Sequence, residues 1–232
     1  MKEVVKKQYT WEYFQAHCGV AGASNASSIA TPAKGDYPAS AKTLICQLLA
    51  DKLDPQYGMY EDTSTAAMKN GLVREPEARR FAEFELDCEI RQAGLLLTDD
   101  GRFCCSPDGL IGDDGGIELK VPNAATHVKY LLAGKLPDDY RPQVHWSLIV
   151  TERKFWYFMS WSPFMVPLVV RVEPDEYTEK LRANMERFWK EYQEAKVKFE
   201  KLIPQPPSIE SPVVVDIPAF GQVELPSYES HY

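Results

Sequence analysis

The chain has no apolar run near the roughly 20 residues that a membrane-spanning helix requires. Its opening stretch, MKEVVKKQYTWEYF, also lacks the continuous apolar core of a secretory leader. A cytoplasmic protein with no membrane association is therefore expected. The five cysteines, at 18, 46, 88, 104 and 105, form an odd set without CxxC spacing, which argues against a disulfide framework or a zinc site. No internal repeat is visible. Lysine and arginine are absent from Pro204 onward, where six prolines and four acids (Glu210, Asp216, Glu224, Glu229) stand with almost no helical periodicity. That composition reads as an extended tail, 204–232, following one domain over 1–203. The tail segments PVVVDIPAF and QVELPSY are more apolar than a solubilising tail needs, so packing on a neighbouring subunit or a partner competes with simple disorder.

What is present is enough for one substantial core, at 232 residues and 44% hydrophobic content. A net charge of −8 first opposes a nucleic-acid partner. Outside the tail, however, 30 acids face all 26 lysines and arginines, and Lys69, Arg74, Arg79, Arg80, Lys120, Lys129, Lys135 and Arg141 flank the stretch described next. A positive channel in an acidic body can steer a polyanion, though the same residues also suit solvated helix faces.

The most informative stretch is SPDGLIGDDGGIELK, 106–120. It predicts a strand over Asp108–Ile111, a turn at Gly112–Gly116 and a second strand over Ile117–Val121, with Asp108 nearly opposite Leu119. Side-chain alternation sets Glu118 and Lys120 on one face and turns Ile117 and Leu119 to the other, and Asp108 can join the first pair. Two converging carboxylates suit a hard cation such as Mg²⁺, and a lysine beside them suits hydrolysis of a phosphodiester. A solvated hairpin is the competing reading for so short a pattern. Asp113 and Asp114 read as turn formers.

Elsewhere, 9–17, 24–30, 40–53 and 62–87 read as helical, the last with a possible break near Gly71 and Pro76. Strands are expected at Leu95–Thr98 and Phe103–Cys105, helices at 124–134 and 139–150, strands at Lys154–Trp161 and Val166–Val172, and a long helix from Pro174 to about Glu200. The order gives an α/β (α+β) fold with a central mixed sheet flanked by helices.

Together, GVAGASNASSIA (19–30), NGLVREPEARRF (70–81), CSPDGL…GIELKVP (105–122) and RPQVHWSLIVT (141–151) resemble the lambda exonuclease or YqaJ-type viral recombinase family of the PD-(D/E)xK nuclease superfamily. The resemblance spans about 11–195 and implies a restriction-endonuclease-like core. It implies that Glu75, Asp108, Glu118 and the Leu119 carbonyl hold Mg²⁺, with Mn²⁺ as a substitute, that Lys120 is the catalytic lysine and that Gln143 lines the site. Glu75 also suits an i,i+4 pair with Arg79 or a first-turn acid. Gln143, on an apolar helix, must find a partner wherever it points.

Ser24 and Ser106 resemble positions around a bound 5′-phosphate, although Ser24 also suits a helix N-cap. His17 stands where the family commonly carries arginine. Met68 matches the region of an apolar wedge between bases, and suits a core position equally well. By the same resemblance the partners are double-stranded DNA ends, further copies of the chain in a trimeric ring and a single-strand annealing protein. The activity implied is a 5′-to-3′ exonuclease that leaves a 3′ single strand for recombination. A restriction-type endonuclease and a noncatalytic DNA-end scaffold are the rival functions.

Overall fold

The computed structural model describes residues 1–53, 66–203, 214–217 and 221–224, with side chains described for 1–53 and 73–203. It divides into two compact units, Met1–Lys196 and Val197–Tyr232. In the first, β1 (Lys2–Val5), β2 (Leu95–Leu97) and β3 (Cys104–Cys105) form an antiparallel sheet. The larger sheet has the order β4 (Gly109–Ile111), β5 (Gly115–Lys120), β6 (Phe155–Ser160), β7 (Leu168–Val172). Its β5–β6 pair is parallel and its outer pairs antiparallel, so the sheet is mixed, as expected. Helices α1 (Trp11–His17), α2 (Ser40–Leu53), α3 (Ala66–Leu86), α4 (Ala124–Ala133), α5 (Arg141–Thr151) and α6 (Glu176–Glu200) complete the architecture.

β5 owes its central place to its side chains. Ile117 and Leu119 enter an apolar cluster with Ala78 and Ala82 of α3, Ile90, Met159 and Trp161. Gly116 has no side chain because the Trp156 ring of β6 occupies that space. Helix α5 is buried almost throughout, and Trp146 donates from Nε1 to the Cys104 carbonyl at 2.8 Å, fixing the helix against β3.

Several boundaries differ from the sequence expectation. Thr10 caps α1, accepting from the Tyr13 N–H at 3.2 Å, so Tyr9 lies outside the helix. The expected helix at 24–30 is a 3-10 turn, Ala23–Ser28, with Gly22 rather than Ser24 at its N-cap. Helix α3 runs through Pro76 without a break. The part of that expectation over 62–65, and the side chain of Met68, lie outside the described residues. The charged strand β1 was not anticipated, since only Val4 and Val5 are apolar there. In the second unit, β8 (Val214–Ile217) and β9 (Gly221–Glu224) pair antiparallel inside the Pro-rich segment. Among the described residues, no helix is long and apolar enough to cross a membrane.

His145 is 1% exposed and its Nδ1 shares a hydrogen bond with Thr178 Oγ1 at 2.8 Å. Burial pushes its pKa down to about 4, with Asp175 opposing and Arg141 adding to the shift. The unfolded chain, with a histidine near pKa 6.5, therefore binds more protons than the fold between about pH 6.5 and 4. Stability is expected to fall by about 3 kcal/mol across that window and to level off below it. His145→Gln, which keeps a polar partner for Thr178 but does not titrate, should remove this component in urea unfolding at stepped pH. An unchanged pH profile would show that His145 is not its source.

Candidate active site

The β4–β5 hairpin has the register Gly109↔Ile117, Leu110↔Gly116, Ile111↔Gly115. β5 starts two residues earlier than expected, and one further step of the register sets Asp108 opposite Glu118 rather than Leu119. A slip of one residue turns every side chain of a strand to the other face. Opposed to Glu118, Asp108 joins the Glu118 and Lys120 face; opposed to Leu119, it would have joined the apolar one. The acidic residues of the loop are misleading to a register estimate, since they allow a turn of three to five residues.

Glu118 is 2% exposed, and both of its contacts come from predicted residues. Lys120 Nζ lies 2.5 Å from its Oε1, and Gln143 Nε2 of α5 donates to the same oxygen at 2.6 Å. The Leu119 N–H donates to Asp108 Oδ2 at 2.6 Å, so it is the amide of Leu119 that touches the carboxylate here. The Lys120 ammonium also stands 5.0 Å from the centroid of the Tyr140 ring, which stacks on Phe158. Glu75 reaches the group from α3 while paired with Arg79, the i,i+4 partner that helical spacing offered.

Charge is concentrated where water is scarce. Burial pushes the Asp108 carboxyl well above the usual range; Glu118 and Glu75 add to this, while Lys120 and the Leu119 amide oppose it. Burial likewise raises Glu75, with Arg79 opposing and Glu118 adding. For Lys120, burial disfavours the ammonium, yet Glu118 and Asp108 outweigh it and hold the pKa above its ordinary value. Three carboxylates with crowded negative charge and only oxygen donors fit a hard divalent cation. Among the described residues, no group of three His, Cys, Asp or Glu side chains is already arranged to hold a metal ion, and oxygens of these carboxylates are engaged by Lys120, Gln143, Arg79 and the Leu119 amide.

Ser106 and His17 belong to a second group, around Tyr13. The Tyr13 hydroxyl and Ser106 Oγ share a hydrogen bond at 2.9 Å, and the Tyr13 ring stacks on His17 with centroids 5.8 Å apart. Gly22 abuts His17, since a methyl group added there would sit 3.0 Å from Nε2, and Ser24 is exposed in the turn that follows. Burial lowers the His17 pKa against the opposing charge of Asp51, which favours a neutral imidazole.

Sequence reasoning missed Lys6, Lys7, Tyr9, Tyr13 and Tyr140. Lys6 and Lys7 follow β1, and their local sequence carries no signal that places them beside Glu75 and Asp108. The expected basic flank is partly consumed by ion pairs, with Arg141 on Asp175 at 3.1 Å and Lys135 on Asp138 at 3.7 Å.

The fold is shared with known proteins. The chain is similar to LHK-Exo, an alkaline exonuclease from Laribacter hongkongensis, at 28% identity, with 84% of this chain and 100% of that one covered and a TM-score of 0.66. The structure of LHK-Exo in complex with dAMP gives the same identity and coverage and a TM-score of 0.67. A phage-related exonuclease from Haemophilus somnus 129PT shares the fold at 11% identity, 80% and 99% coverage and a TM-score of 0.58. No curated protein matches the chain. The YqaJ-like viral recombinase domain matches residues 12–154, which hold the hairpin, Glu75 and Gln143 alike. The chain belongs to that family.

Proposed function

We propose that the protein is a Mg²⁺-dependent exonuclease that degrades one strand of linear double-stranded DNA from a 5′ end and releases mononucleotides. The observation that carries this reading is the convergence on Glu118: Lys120 and Gln143 hold one of its oxygens while Asp108 stands beside it. Its similarity to an alkaline exonuclease with dAMP bound supports a nuclease and a mononucleotide product. The 3′ strand left behind would serve annealing-type recombination. A homotrimeric ring and a single-strand annealing partner complete the proposal and rest on family resemblance alone.

Glu75, Asp108, Glu118 and the Leu119 carbonyl would hold Mg²⁺ or Mn²⁺. Such an ion, when bound, lowers the pKa of a water and offsets charge on the phosphate. The protein's own groups prepare the ground. Gln143 fixes the direction of Glu118, and the Leu119 amide fixes Asp108. Lys120 is the cation of the set: a phosphate oxygen can replace Glu118 as its partner, so substrate binding would exchange one charge pair for another. Tyr140 keeps the ammonium near the site during that exchange.

A 5′-phosphorylated linear duplex labelled at both ends, followed with and without Mg²⁺, tests polarity, end dependence and metal dependence together. The expected result is loss of the 5′ label as mononucleotide only with the metal. Efficient cutting of a covalently closed plasmid would replace this reading with an endonuclease. Gln143→Leu is expected to reduce kcat by about 10- to 100-fold with little change in KM, because it releases Glu118 rather than removing it. A wild-type kcat in this variant would remove Gln143 from the site.

A further inference from the structure

The proposed chemistry leaves one wall of its cleft without a role. Lys6, Lys7, Gln8 and Tyr9 line a cavity of about 260 Å³ together with Glu75 and Asp108. This strap is firmly held. Gln8 Nε2 donates to the Ala93 carbonyl at 2.9 Å and to that of Pro107 at 3.1 Å, and Pro107 directly precedes Asp108. Upstream, the backbone crosses Gly94 so closely that a methyl group there would collide with the Val5 carbonyl. Glu3 accepts from the Gly94 N–H at 3.2 Å and pairs with Arg91 at 3.1 Å.

Tyr9 ends the strap with φ +61°, a left-handed conformation that non-glycine residues adopt only at some cost. Its side chain gains little burial in return, since the residue is 62% exposed. It is nonetheless close enough to the acidic cluster that, after burial, Glu75 and Asp108 are the main influences raising its phenol pKa. The ring meets the Tyr13 ring at 6.1 Å between centroids, yet most of the residue faces solvent beside two exposed lysines. The same cleft also poses an electrostatic problem, because its carboxylates repel the phosphate they must receive. Flanking ammonium groups supply attraction, and an aromatic face accepts any base by stacking.

We propose that Lys6, Lys7 and Tyr9 form a nucleotide grip, in which the ammonium groups take backbone phosphates and the Tyr9 ring stacks on a base of the strand presented to Asp108 and Glu118. The grip rests on the nuclease reading and adds substrate contacts to it. Fluorescence anisotropy of a labelled, 5′-phosphorylated linear duplex in Ca²⁺, over a series of KCl concentrations, tests it, with a gel to verify that the probe stays intact. Tyr9→Asn, whose side chain tolerates a left-handed backbone, is expected to bind about tenfold to a hundredfold more weakly, and Tyr9→Phe within about twofold of wild type. The double variant Lys6→Ala/Lys7→Ala is expected to lower the slope of log Kd against log salt by roughly 1 to 2. Thermal melting of each full-length variant separates contact loss from unfolding. Wild-type affinity in Tyr9→Asn, or an unchanged salt slope in the double variant, overturns the grip and leaves the nuclease reading standing. A wild-type protein that binds no duplex end overturns both.

Discussion

Asp108→Ala and Lys120→Ala are each expected to lower single-turnover cleavage of a labelled linear duplex by about 10³-fold or more, since the first removes a carboxylate that would hold the metal ion and the second an ammonium that offsets charge on the reacting phosphate. Their effects on stability should differ. Asp108 is a carboxyl crowded by Glu118 and Glu75, so its removal relieves repulsion that offsets the lost acceptor of the Leu119 amide, and the melting temperature should hold. Lys120 is the cation 2.5 Å from Glu118, which is 2% exposed, and its loss leaves a buried carboxylate with Gln143 alone. Breaking such a pair costs about 3 kcal/mol. Two variants that lose activity together while moving apart in stability cannot both be inactive through unfolding. Cleavage near the wild-type rate in either one would withdraw its assigned role. Lys120→Arg should recover stability better than activity, because a planar guanidinium keeps the charge but not the compact geometry of an ammonium.

Much of this site was legible because strand alternation is a strict rule. Once Ile117 and Leu119 are assigned inward, Glu118 and Lys120 must share the other face, and they do. Gln143 was legible for a related reason: an amide on a helix as apolar as α5 needs a buried partner, and it finds Glu118. The register of Asp108 was not, since turn length decides it and GDDGG permits more than one. Nor was the Lys6–Tyr9 strap. Its position depends on a close crossing at Gly94 and on hydrogen bonds from Gln8 to residues 85 and 99 positions away, and local pattern carries no trace of either. Ser24 shows the limit of composition, since a serine before an apolar run suggests an N-cap, whereas Gly22 takes that position two residues earlier.

The paired reading of Glu75, as ligand or as helix-surface partner of Arg79, is separable by a double-mutant cycle. Arg79 is 8% exposed, and its guanidinium is paired with Glu75, with the Gln92 amide oxygen as a further acceptor. Arg79→Met is expected to destabilise the fold by about 3 kcal/mol, because it leaves Glu75 beside Glu118 with its cation gone. Adding Glu75→Gln removes that stranded charge, and the double variant should regain most of the loss, with a coupling of about 1–3 kcal/mol. Activity should behave otherwise. If Glu75 supplies an oxygen to the ion, Glu75→Gln and the double variant both remain at least about 10²-fold below wild type however well they fold. A double variant that regains cleavage along with stability would reduce Glu75 to the partner of Arg79 and leave the ion to Asp108 and Glu118.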